Sequence, residues 1–169
     1  MGSEFDGICL EGHCVQCGYL METSLHALRD CDHWGKAEKG WVKLNIDGAF
    51  SKSINIAVIG GVFRDHDGIG KCGFTMRIEK DSVFRTEVRA ILEGLNLAST
   101  FGFRQLELEC DNVLVVENIL VDGVGANMLF ELRLIKQLLC RDWKVCLRHI
   151  PSEHNKIANS MAKFGKWNL

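Results

Sequence analysis

The sequence predicts an α/β fold: a mixed five-stranded sheet flanked by helices, with a small Cys/His-rich appendage at the N-terminus. Three observations carry this prediction. Residues 41–79 hold three strand-like stretches in succession, joined by short turns. After them the apolar period lengthens to that of a helix, then alternates between helix and strand. Residues 9–33 are dense in Cys and His but poor in large apolar side chains, so they cannot bury a core without a staple or a metal. Successive strands joined by tight turns pair antiparallel, and strand–helix alternation adds parallel strands to the same sheet.

Residues 41–50 (WVKLNIDGAF) alternate Val42, Leu44 and Ile46 with Lys43, Asn45 and Asp47, the period of a half-buried strand. A turn is expected at 51–53. Residues 55–64 are rich in Ile and Val, Asp67-Gly68 is a hairpin signal, and 70–79 return as a third strand. Val88, Ile91, Leu92, Leu95 and Ala98 then recur at helical spacing until Gly102 stops the helix. Residues 105–110 form a short strand, 112–120 a helix ended near Gly123, and 128–140 a further helix with an apolar face. Residues 143–150 alternate as a strand, Pro151 breaks it, and Ser152 begins a last helix through Phe164. The order is βββαβααβα.

A chain of 169 residues, 47% hydrophobic and 25% charged with one proline, fits one medium domain plus the appendage and excludes a disordered or fibrous class. No apolar run approaches the ~20 residues that span a bilayer. The N-terminus lacks a basic region followed by an apolar stretch. The expectation is therefore an unexported protein of nucleus or cytoplasm, without secretion signal or membrane partner. In that setting the eight cysteines read as reduced thiols, some of them metal ligands, rather than as a disulfide framework. Residues 1–40 hold seven acidic against three basic side chains, and the remainder 15 against 17. That balance neither requires nor excludes nucleic acid, since bound metal can neutralise phosphate in place of a basic face. Residues 1–8, with their opening MGSEF, read as a cloning or fusion remnant or as a natural start. Residues 9–34 form the Cys/His segment, 35–40 a short linker, and 41–169 the main domain.

Four phrases stand in order along that domain: NIDGAF at 45–50, TEVRAILEGLNLA at 86–98, LELECDN at 106–112 and HIPSEHNKIANSMAKFG at 149–165. With the element order, they resemble the ribonuclease H family, in particular the reverse-transcriptase-like domains of plant genomes and non-LTR retroelements. The resemblance implies a ribonuclease H-like fold. In that family the first strand supplies an Asp before a Gly, the first helix a Glu, the fourth strand an Asp at its end and the last helix an Asp. Here those places hold Asp47, Glu87, Asp111 and Asn159. Two Mg²⁺ (or Mn²⁺) ions, roughly 3.5–4 Å apart, call for such hard oxygen ligands around a scissile phosphate. Each residue also has a plainer role. Asp47 before Gly48 can open a turn at a strand end, Glu87 can be a first-turn carboxylate favoured by the helix dipole, and Asp111 can cap the helix that follows.

Asn159 departs from the pattern. Its carbonyl oxygen can ligate a cation but brings no charge, so a second metal should bind more weakly. It can equally be a polar residue on the exposed side of the last helix. The family's loop histidine, which helps release product, corresponds most nearly to His154, which can also be a plain surface residue; His149, on the strand, is expected to be packed. The resemblance further implies an RNA–DNA hybrid partner, recognised by shape and by 2′-hydroxyl contacts. Backbone near Gly48 and the side chain of Asn112 are the positions expected to touch the RNA strand. The short connection before the helix at 128–140 lacks the basic protrusion of some relatives.

Cys14, Cys17, His26 and Cys31 form C-x2-C-x8-H-x4-C, a spacing able to close a tetrahedral zinc site. ETSLHALRDC resembles the zinc-binding region between reverse transcriptase and ribonuclease H in plant non-LTR retroelements; idle thiols in a truncated relic are the plainer reading. Cys9, His13 and His33 are substitute ligands. Cys72, Cys110, Cys140 and Cys146 are expected to be buried small hydrophobes. The resulting expectation is a monomeric, Mg²⁺-dependent hydrolase cutting the RNA strand of RNA–DNA hybrids. The alternative is a retroelement-derived domain that binds nucleic acid or protein without cutting. A related exonuclease would show Asp-x-Glu in its first strand, where this chain has Asp47-Gly48-Ala49, and is placed below both.

Overall fold

In the computed structural model, which describes residues 37–51, 56–79, 81–121, 129–156, 158, 159 and 162, the chain folds as β1 (Val42–Ser51), β2 (Ile56–Arg64), β3 (Gly70–Glu79), α1 (Val83–Thr100), β4 (Gln105–Cys110), α2 (Val113–Leu120), α3 (Phe130–Leu139) and β5 (Lys144–His149). A 3₁₀ turn at Ser152–His154 follows, and Lys156, Ala158, Asn159 and Ala162 are helical. The sheet order is β3-β2-β1-β4-β5. β1–β2 and β2–β3 pair antiparallel, whereas β1–β4 and β4–β5 pair parallel. This is the predicted mixed five-stranded sheet, with three antiparallel strands and then parallel additions. Residues 1–36, with Cys14, Cys17, His26 and Cys31, lie outside the described residues.

One sheet face carries the apolar core. Leu44 and Ile46 from β1, Ile59 and Phe63 from β2, Phe74 from β3, and Leu106 and Leu108 from β4 are buried against Val88, Ile91, Leu92 and Leu95 of α1. Ser82 caps α1 by accepting from Arg85 N at 3.2 Å. The helix therefore starts five residues before the first apolar repeat, a beginning that apolar spacing alone cannot mark. Gly94 lets it lie close, because a Cβ there would stand 2.8 Å from Leu44 Cδ2.

The opposite face is not the wet surface that alternation in β1 suggested. Lys43, Asn45 and Asp47 are all buried, as are Val58, Val62 and Arg64 of β2. Ala158 and Ala162 of the last helix are fully buried. Charge pairs and hydrogen bonds among the polar residues there offset most of the cost of their burial. Lys43 Nζ lies 2.8 Å from Glu109 Oε1 and 3.7 Å from Glu107 Oε2, Asn45 donates to Glu109 Oε2 at 2.8 Å, and Arg64 donates to Asn45 Oδ1. Four expectations about single residues need correction. His149 is exposed rather than packed, because β5 is an edge strand. Cys140 is exposed at the C-cap of α3, while Cys72 and Cys146 are half-buried rather than core residues.

Candidate active site

Glu87 belongs to α1, the helix with the apolar stripe, and stands in line with Ile91 and Leu95. α1 begins at Val83, so Glu87 lies in the second turn and not in the first, where a dipole-favoured carboxylate would sit. It is 4% exposed. The partner holding it is backbone: Gly48 N donates to Glu87 Oε1 at 3.1 Å. That approach requires glycine, since a Cβ at 48 would lie 2.6 Å from Thr86 Cγ2 and 3.2 Å from Glu87 Oε1. The other oxygen, Glu87 Oε2, is buried and accepts no hydrogen bond.

Asp47 is 6% exposed and sits inside β1, registered against Gly60, so it does not open a turn. Asp111 follows the last residue of β4 and is half-buried. It is not the helix cap. Asn112 takes that role, its Oδ1 accepting from Val115 N at 3.3 Å, which leaves the Asp111 carboxylate at the positive end of α2 and not engaged in capping. The carboxyls of Asp47 and Glu87 interact directly. Burial first, then the like charges of Asp47 and Asp111, push the Glu87 carboxyl up to about 9 from an ordinary 4.5. The structure thus brings Asp47, Glu87 and Asp111 together at one end of the sheet.

Sequence reading missed two residues here. The Cys110 thiol, a carboxylate oxygen of Glu87 and one of Asp111 all lie within 4.8 Å of one another. Burial and the neighbouring Glu87 push that thiol well above its usual range. Asn155, fully buried, donates from Nδ2 to Ile46 O at 2.7 Å, tying the start of the last helix to the residue before Asp47. The polar run between Pro151 and Ala158 was the available signal for it. Asn159 is half-buried one turn further on, its N–H donating to Asn155 O at 3.0 Å, so it is not on a fully exposed helix side. His154 is exposed in the 3₁₀ turn.

The donor set suits a hard divalent cation: two carboxylates within reach of one another, a third interacting with Glu87, and a buried carboxylate oxygen without a partner. Such a sheet, with Asp47 within β1, Glu87 on α1 and Asp111 just past β4, is the ribonuclease H-like fold. The chain superimposes on ribonuclease H1 of Halobacterium salinarum NRC-1 with a TM-score of 0.67 at 23% identity, covering 76% of this chain and 99% of that one. LC11-RNase H1 in complex with an RNA/DNA hybrid gives 0.64 at 19% identity, covering 73% and 94%. The model of the reverse transcriptase-like family matches residues 45–165, and the chain belongs to that family. It is 32% identical over 133 residues to the "Putative ribonuclease H protein At1g65750" of Arabidopsis thaliana, covering 78% of this chain and 21% of that protein. The chain therefore spans about a fifth of that relative's length. No helix among the described residues is long and apolar enough to cross a membrane.

Proposed function

We propose that this domain is a metal-dependent endonuclease that hydrolyses the RNA strand of RNA–DNA hybrids. The observation that carries the reading is Glu87: a buried carboxyl with one unpartnered oxygen, pressed by Asp47 and Asp111, charges of the same sign. Burial of this kind is costly unless a cation arrives from outside. A solved relative bound to an RNA/DNA hybrid supports the substrate class. Asp47, Glu87 and Asp111 would hold Mg²⁺ or Mn²⁺, with Asn159 as a neutral fourth ligand. When bound, such ions neutralise the phosphate and activate water, leaving 5′-phosphate and 3′-hydroxyl ends.

The chain's own groups set the geometry. Gly48 N holds one oxygen of Glu87 at 3.1 Å, which favours the orientation seen here. Asn155 ties its segment to Ile46, the residue before Asp47, and Asn159 N donates to Asn155 O one turn on, which supports Asn159 as the fourth ligand. Backbone near Gly48 and the Asn112 side chain would meet the RNA strand, and the exposure of His154 in the 3₁₀ turn supports its assignment to product release. The domain acts as a monomer in this reading.

One observation favours a second reading, a domain that binds nucleic acid or protein without cutting: Asn159 lacks the charge that a second metal needs. Cleavage of a labelled RNA–DNA hybrid across a Mg²⁺ titration decides between them. Wild type should cut, Asp47→Asn should lose on the order of 10²–10³-fold or more, and Asn159→Asp should cut faster at low Mg²⁺. A wild type that binds hybrid but never cuts it at any Mg²⁺ concentration would leave only the binding module.

A further inference from the structure

The donor at residue 110 makes this site unlike one built from oxygen ligands alone. Cys110 ends β4, is fully buried, and receives the Asn112 N–H at 3.4 Å on its sulfur. Its Sγ, a Glu87 oxygen and an Asp111 oxygen lie mutually within 4.8 Å, close enough for modest side-chain rotation to bring all three onto one ion. Independently, Glu87 Oε2 is buried without a partner beside them. Sulfur adds little to a hard cation such as Mg²⁺, but it strongly favours soft and borderline ions, which accept a thiolate with two carboxylates in low-coordinate geometry.

We propose that Glu87, Cys110 and Asp111 form a site for a thiophilic divalent cation of the zinc class, which competes with Mg²⁺ and displaces it. The inference rests on the reading of Glu87 and Asp111 as metal ligands and adds a ligand and a second ion class. Binding forms one metal–sulfur bond, and the thiol proton leaves to solvent. A zinc-class ion held by these three groups takes Glu87 and Asp111 out of Mg²⁺ chemistry, so micromolar soft metal switches the domain off while millimolar Mg²⁺ is present.

The test uses the full chain, stripped of metal and kept reduced, with Cd²⁺ and Co²⁺ as probes. Sulfur-to-metal charge-transfer absorption reports thiolate ligation directly. A background with Cys9, Cys14, Cys17 and Cys31 all changed to Ser removes every thiolate of the N-terminal segment, so the remaining charge-transfer signal belongs to the main domain. In that background one equivalent of Cd²⁺ should bind with a charge-transfer band. Cys110→Ser, with Cys110→Ala as a second variant, should abolish the band and weaken Cd²⁺ by more than the ~10–100-fold expected for loss of a supporting group. Asp111→Asn should weaken it as well, and Mg²⁺ should compete. Circular dichroism establishes that each variant is folded. An unchanged band and affinity in both folded Cys110 variants would overturn the proposal. Hybrid cleavage by Cys110→Ser in Mg²⁺ separates the two readings: cleavage that persists while the soft-metal site fails leaves the nuclease reading standing.

Discussion

Two groups of buried carboxylates share the central strands of this sheet, and the protein treats them in opposite ways. Glu107 and Glu109 on β4 have an internal counter-charge: Lys43 reaches both, Arg148 approaches Glu107 at 3.9 Å, and Glu38 N donates to Glu107 Oε1 at 3.0 Å. Near the other end of these strands, Glu87 of α1 meets Asp47 and Asp111, charges of its own sign; Glu87 Oε2 and Glu107 Oε2 are both buried without a hydrogen bond, but only Glu107 Oε2 has a cation, Lys43 Nζ, at 3.7 Å. Glu107 in one group and Glu87 and Asp47 in the other are buried, while Glu109 and Asp111 are half-buried. The difference is where the compensating charge comes from: the chain in one case and, on the reading proposed above, a bound cation in the other. Glu107 and Glu109 carry their lysine with them, whereas Glu87 has only like charges beside it.

The contrast can be broken most forcefully at Lys43. Lys43→Met would strand Glu107 and Glu109 as Glu87 is stranded, and should cost about 3–5 kcal/mol. Urea unfolding measures this; a loss below about 1 kcal/mol would mean that Arg148 suffices.

Glu87→Gln is the mirror experiment, and it should stabilise the metal-free protein. The folded state keeps the Glu87 proton up to about pH 9 while the unfolded chain releases it near 4.5. Raising the pH across that window therefore draws the equilibrium toward unfolding. At pH 8 the substitution should gain on the order of 2 kcal/mol, the gain should vanish near pH 4, and Mg²⁺ should narrow it by stabilising only the wild type. Thermal melts at both pH values test this, and a Gln variant less stable at pH 8 would contradict it.

Gly48→Ala sharpens the comparison from the backbone side. Its Cβ would overlap Thr86 Cγ2, so a loss of about 1–3 kcal/mol is expected, together with weaker Mg²⁺ binding by calorimetry. Asn155→Ala should have the smallest effect, about 1–2 kcal/mol, because it leaves Ile46 O without its donor. A melting temperature equal to wild type would show that this bond does not fasten the last helix.

The order of strands and helices was legible because the apolar period changes from one element to the next and the turn at Asp67-Gly68 is short. Asp47, Glu87 and Asp111 were legible through the phrases around them. What alternation could not convey is that both faces of β1 are covered. Lys43, Asn45 and Asp47 look like a solvent row, yet all three are buried, and Asn155, from beyond β5, reaches Ile46 O on the same strand. The same limit explains His149, whose strand pattern says nothing of its place at the sheet edge. Cys110 was invisible as a candidate ligand because an apolar-looking strand residue declares its neighbours only in three dimensions.

The parallel pairing of β1 with β4 sets Asn45 beside Glu109, 64 positions later, and Asn155 reaches back 109 positions to Ile46. Contacts of such span form late in folding, since long loops must close before they are rewarded. Asp47, Glu87 and Asp111 all precede Pro151, so the acids belong to the part of the chain that is made first, and the Asn155 contact that reaches back to Ile46 can only be added afterwards.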